Sequence, residues 1–218
     1  MDGVIELVPG VEYLVKLKVK NIKFFAPDIP NDDKSRLNRK LNLIPLTELI
    51  KRSGKKNGIN CSFFDYHYPW WVGPYKDDRH YDPFYKKGRG SVPHIAYISN
   101  NQFHVLKDKP AVPTNAKYIV SVNPVGILDG LKDKMISAKR PARRTIIGSF
   151  YDGTFFVYIY NKSTNYIIPR DKVYNLGNVK HAVFLDSGTS TSLIINNKVV
   201  VPTGYPGFPN AIVWWVFV

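Results

Sequence analysis

Ala182-Val183-Phe184-Leu185-Asp186-Ser187-Gly188-Thr189-Ser190-Thr191-Ser192-Leu193 is the stretch on which the reading of this chain turns. Four apolar residues in a row, β-branched and aromatic ones among them, read as a buried strand. An acidic residue follows at once, and then a run of small residues. A carboxylate at a strand end that opens into a cleft can act as nucleophile, as general base for water, or as stabiliser of an oxocarbenium-like carbon. The competing account makes Asp186 a turn cap that accepts backbone N–H bonds. Gly188, Thr189, Ser190, Thr191 and Ser192 offer amide and hydroxyl donors in one tight turn, a concavity suited to phosphate oxygens. Turns rich in Ser and Thr also occur with no ligand at all.

Working outward, short strand-like runs fill the C-terminal half: His94 to Ser99, Phe103 to Leu106, Tyr118 to Val122, Thr145 to Ser149, Phe155 to Tyr160, Leu193 to Ile195 and Ala211 to Val218. Asn100-Asn101, Asp152-Gly153 and Asn196-Asn197 supply turns between several of them. Near the start, Val11 to Lys20 alternates apolar and polar residues with the period of a half-buried strand. Leu46, Leu49 and Ile50 predict a short helix ended by Gly54. Gly58 to Phe64 reads as a strand that enters a loop. No repeat, low-complexity tract or linker interrupts the chain. The expected architecture is one α+β domain over residues 1–218, a mixed, strand-rich twisted sheet with a few short helices.

Four blocks, taken in order, carry a resemblance. Asn60-Cys61-Ser62-Phe63-Phe64-Asp65 is similar to the Asn-Gly-Gly-Phe-Phe block of the phosphodiester glycosidase family. Arg144-Thr145-Ile146-Ile147-Gly148 with Asp152-Gly153 resembles that family's Arg-x-Ala-Ile-Gly strand and hairpin. Leu185 to Leu193 resembles its Leu-Asp-Gly-Gly-Gly-Ser-Ser-Thr block, and Pro209 to Val213 its closing strand. The resemblance covers about residues 45–218 and implies hydrolysis of a sugar-1-phosphodiester or a related phosphate-linked glycan. It places Asp186, Arg144 and Asn60 as catalytic residues. Ser190, Gly188, Thr189, Thr191, Asp65, Trp70 and Trp71 would contact substrate, without metal or cofactor. Cys61, Ser62, Ser187 and Thr189 stand where the family mostly has Gly, which implies a reshaped pocket. The helix that the family places before its Asp block looks eroded around Asp171 to Lys180.

The residue chemistry fits that expectation. A phosphate diester leaves as an anion and needs charge stabilisation more than protonation. Arg144 suits the task, since a guanidinium holds two phosphate oxygens at once; on a strand, Arg143 would point to the opposite face. Pairing of Arg144 with a neighbouring carboxylate is the plainer account. Asn60 carries both donor and acceptor atoms for a sugar hydroxyl or phosphate. Asp65 to Gly90 is read as a long ordered loop in which Trp70 and Trp71 stack on sugar rings as a lid. Its Asp65, His67, Asp77, Asp78, His80 and Asp82 have no recognised metal-ligand spacing.

Bulk composition sets outer limits. The formal charge of +14, from 31 Lys and Arg against 17 Asp and Glu, favours an anionic partner. Two further readings are a catalytically altered module that captures a phosphorylated sugar or nucleotide, and a basic nucleic-acid binder. The nucleic-acid reading has only Lys132 to Arg144 as a locally basic run and no recognised motif. One cysteine, Cys61, excludes an intrachain disulfide framework. No stretch reaches the roughly 18 apolar residues of a membrane helix, and residues 1–20 lack a secretory signal. The expected setting is cytoplasmic or virion-associated, with a compact Lys- and Asn-rich chain pointing to a phage origin.

Overall fold

The computed structural model describes residues 4–27, 43–65, 70–71, 73–82, 94–108, 110–134, 136 and 141–214. Their strands form three larger sheets and one two-stranded ribbon, Phe64–Asp65 with Trp70–Trp71. The seven-stranded sheet runs Val4–Val8, Glu12–Lys18, Thr154–Thr164, Ala142–Phe150, Val179–Phe184, Val125–Leu128, Leu131–Lys132. A five-stranded sheet runs Gln102–Leu106, His94–Ser99, Tyr118–Val122, Tyr75–Lys76, Tyr81–Asp82. The third runs Lys198–Val201, Leu193–Ile195, Asn57–Asn60, Ala211–Trp214, Ile22–Phe25. Every pairing among these strands is antiparallel, so the expected mixed sheet is corrected to three antiparallel ones. The strand-rich α+β class stands.

Strand alternation places the core. Tyr13, Val15 and Leu17, with Ile147, Val157, Ile159, Val183 and Leu185, turn one face of the seven-stranded sheet inward. They meet Ile59, Ile212 and Trp214 of the third sheet and Ile98, Tyr118 and Val120 of the second in one apolar cluster. The opposite face carries Leu14, Ile146, Phe156, Tyr158 and Phe184 under the helix Ile167–Tyr174. Leu14 is therefore buried as well, and only Lys16 and Lys18 of that strand are exposed.

The two helices cover outer faces. Leu46–Arg52 seats Leu46, Leu49 and Ile50 on Ala211, Val213 and Ile194. Its close approach depends on Gly58, where a Cβ would stand 2.8 Å from the Ile50 side chain and 2.9 Å from Ile212 O. The second helix, Ile167–Tyr174, begins before the region expected to have lost one. Asn165 starts it by accepting the Ile167 and Ile168 N–H groups at 3.0 and 3.2 Å. Pro169 fits because an amide in the first turn needs no intrahelical acceptor. Lys172 anchors the helix to buried Glu12 at 3.1 Å, and Glu12 also accepts the Tyr158 hydroxyl at 2.9 Å.

Within the described part of the expected long loop, short strands pair. Tyr75–Lys76 and Tyr81–Asp82 make a hairpin on the second sheet. Asp77 at its turn is buried and accepts the N–H groups of Arg79 and His80 and, from across the chain, of Ala26. Burial pushes its pKa up, but bonding to His80 and these amides outweighs burial and leaves it lowered. Asp78 pairs with Lys23 at 3.3 Å. His67 lies outside the described residues.

Gly148 lies between two strands, and a Cβ there would stand 2.1 Å from His181 O and 2.4 Å from the Phe156 ring. Backbone cannot give way as a flexible side chain does. Gly148→Ala is expected to lose about 2–3 kcal/mol of stability, read as a lower urea midpoint at an unchanged slope.

Candidate functional site

Leu185 continues the Val179–Phe184 strand by donating its N–H to Thr145 O at 3.0 Å. Asp186 then leaves the sheet. Its Oδ1 accepts the Ser187 N–H at 3.0 Å, and its Oδ2 accepts the Ser190 hydroxyl at 2.6 Å. Gly188 turns the chain at φ +74°, a conformation costly for side-chain-bearing residues. One 3-10 turn, Gly188–Ser190, follows and closes with Thr191 N–H on Gly188 O at 3.2 Å. The amides of Gly188 and Thr189 make no hydrogen bond among the described residues. Burial raises the Asp186 pKa to about 6, against the opposing hydrogen bonds from Ser190 and Ser187. At neutral pH this carboxyl is thus mostly ionised, by about ten to one.

Asn60 ends the Asn57–Asn60 strand and joins the two motifs. Its Nδ2 donates to the Asp186 carbonyl at 2.7 Å, while its Oδ1 accepts the Thr145 hydroxyl at 3.1 Å and the Ser192 N–H at 3.3 Å. Asn60 is buried and all these bonds are internal, so it positions Asp186 and the turn.

Arg144 lies on the face of the sheet that carries Ile146 and Phe184, away from Thr145. Its side chain is buried, with the guanidinium carbon 3.6 Å from the Tyr166 ring centroid and one Nη donating to Thr164 O at 3.1 Å. Burial lowers its pKa, opposed by Tyr166. Arg143, sharing the face of Thr145, is the one that reaches the turn. It donates to Gly188 O at 3.2 Å, Thr189 O at 3.4 Å, Pro202 O at 2.7 Å and Asn161 Oδ1 at 3.3 Å. Arg143 therefore clamps the turn from behind. Alternation along the strand separates the two arginines, but Ile146 and Ile147 are both fully buried, so hydropathy gives no sign of which face holds the site.

The remaining expected contacts divide. Ser190 is buried against Asp186, Thr191 is buried, and Thr189 is exposed. Asp65, Trp70 and Trp71 are described by backbone alone, and their side chains lie outside the description. Among the described residues no three His, Cys, Asp or Glu side chains group to hold a metal ion, and no helix is long and apolar enough to cross a membrane. None of Cys61, Ser62, Ser187 and Thr189 has positive φ, so no backbone conformation there demands glycine. Ser62 instead binds Asn210: its N–H and hydroxyl lie 3.0 and 2.9 Å from Asn210 Oδ1, and Asn210 Nδ2 lies 2.6 Å from Ser62 Oγ.

No family model and no curated protein sequence matches this chain. Solved structures do. A zebrafish N-acetylglucosamine-1-phosphodiester alpha-N-acetylglucosaminidase catalytic domain, auto-inhibited by its pro-peptide, aligns at a TM-score of 0.70 and 14% identity, over 94% of this chain and 76% of that one. A hypothetical protein from Synechocystis aligns at 0.60 and 12% identity, over 96% of this chain and 60% of its own length. At such identities the likeness is one of fold.

Asp186 supplies a stability signature. Its native pKa of about 6 exceeds the roughly 3.9 of an unfolded Asp. Between those values the native state holds the proton that the unfolded chain releases, so stability falls as pH rises through this window. Asp186→Asn can keep both hydrogen bonds without the charge. The variant is expected to match wild type near pH 4 and exceed it by about 2 kcal/mol above pH 7, measured by urea unfolding across that range.

Proposed function

We propose that this chain hydrolyses a sugar-1-phosphodiester or a related phosphate-linked glycan at the Asp186 turn. The observation that carries the reading is a carboxyl with a pKa of about 6 at a strand end, beside two uncommitted amides. Fold likeness to a domain that bears a phosphodiester glucosaminidase name supports it. The ionised carboxylate attacks the anomeric carbon, or takes a proton from the water that does; the bond from that carbon to the phosphate oxygen breaks, and phosphate leaves as an anion. In the first case water then cleaves the glycosyl ester and restores the carboxyl group. The N–H groups of Gly188 and Thr189 are donors available to the leaving phosphate. Asn60 and Arg143 hold the turn rigid while charge moves.

A capture module is the second reading, favoured by the occupation of both Asp186 oxygens by Ser187 and Ser190. Incubation with a panel of sugar-1-phosphodiesters separates the two. Hydrolysis is expected to rise with pH through about 6, and Asp186→Asn to lose roughly 10²–10⁴-fold in rate. Stoichiometric binding with no release of sugar from phosphate rejects the hydrolase.

A further inference from the structure

At one edge of the seven-stranded sheet, beside the helix Ile167–Tyr174, lies a groove of about 930 Å³. Two local structures build it. Asp129 and Gly130, at φ +47° and +76°, turn the chain tightly and set Leu128 directly opposite Leu131 on the edge pair of strands. On the helix, Ile167, Arg170, Asp171 and Tyr174 stand at i, i+3, i+4 and i+7 and so share one face.

The lining combines two chemistries. Leu128, Leu131, Ile136 and Ile167 make part of it apolar, and Leu131 is 74% exposed. Lys107, Lys132, Lys134 and Arg170 make the rest cationic. Their acidic partners are fewer. Lys107 meets Asp133 at 2.7 Å, whereas Arg170 and Lys132 share Asp171 at 2.8 and 3.3 Å. Lys132 also lies 4.5 Å from the centre of the Tyr174 ring. Lys134 is exposed and forms no ion pair among the described residues. Four cations thus face two carboxylates, which leaves two positive charges beside an apolar wall.

We infer that this groove binds a monophosphate that carries a flat ring, the class of a nucleoside 5′-monophosphate. Charge selects the head group. A phosphate monoester carries about −1.5 to −2 at neutral pH, which matches the two uncompensated positive charges. Arg170 is held by Asp171 and by the Asp133 carbonyl at 2.9 Å, so the phosphate falls to Lys134 and to Lys132, whose carboxylate is shared. A carboxylate head, with one charge, would leave a cation uncompensated. The apolar wall selects the rest. A ring covers Leu131 and Ile167 without ordering many rotors, as an alkyl chain would. Polar atoms at the ring edge stay in water, because Leu131 and Tyr174 keep the groove open to solvent. Its volume lies at the upper end of small-ligand clefts, roughly 300–1,000 Å³. No lining residue belongs to the Asp186 turn, so this site is independent of the hydrolase reading.

The test is an NMR titration of isotope-labelled protein at low salt with adenosine 5′-monophosphate, adenosine and inorganic phosphate, each alone. The monophosphate is expected to shift Leu131, Lys134 and Tyr174 together, with affinity about tenfold above that of either fragment. Lys134→Met should weaken it about fivefold by removing a phosphate partner. Leu131→Ser should weaken it by a similar factor through lost apolar contact. Both side chains are exposed, so both variants should keep the melting temperature. Asp186→Asn should bind the monophosphate as wild type does. Unmoved groove residues, full affinity in either groove variant, or equal binding of phosphate alone overturns the inference. Affinity that climbs steadily with the length of a single-stranded oligonucleotide overturns it too, in favour of a polyanion surface.

Discussion

Both polar atoms of the Asn60 side chain are engaged inside the protein. It holds the carbonyl of Asp186, the hydroxyl of Thr145 and the amide of Ser192, and so fastens the third sheet to the seven-stranded one where both run out of strand. Asn60 and Asp186 stand 126 residues apart in the chain. Hydrophobic burial is non-directional and brings sheets together without fixing their register. A buried amide with three partners does fix it, because each bond left unmade would cost the desolvation of a polar group.

Held in that way, Asp186 is a charge in an unfavourable place. Ser187 and Ser190 soften its burial but do not cancel it, and its pKa remains near 6. Regions that carry such costs are where function is sought. Asp77 is the instructive opposite. It is buried where Asp186 is half-buried, yet it gathers enough N–H donors to lie below the usual carboxylate range, and its work is to hold a hairpin and Ala26 together. Burial alone does not mark a site; burial without full compensation does.

The arginine pair shows where sequence reasoning stops. That one of Arg143 and Arg144 would face the turn follows from strand alternation. Which one depends on what covers each face of a sheet buried on both sides. Tyr166 and the helix Ile167–Tyr174 cover the face that takes Arg144. That helix was itself hard to see, since its start rests on Asn165 and its first turn contains Pro169. The filled glycine positions are a similar case. Residue type at Ser62 speaks of lost space, whereas its bonds to Asn210 show a polar pair built into that space.

From the residues alone came the strand runs, the helix at Leu46, the carboxylate at a strand end and the small-residue turn after it. These are local matters of period, propensity and chain reversal, written in neighbouring positions. Tertiary structure alone decided that three antiparallel sheets share one core, that Asn60 clasps Asp186 through its backbone, and that Arg143 rather than Arg144 braces the turn. Among the described residues it also left the Ser192 hydroxyl without a partner. Such outcomes depend on which distant surfaces meet and which polar atoms they leave over, and no window of sequence contains both sides of a contact.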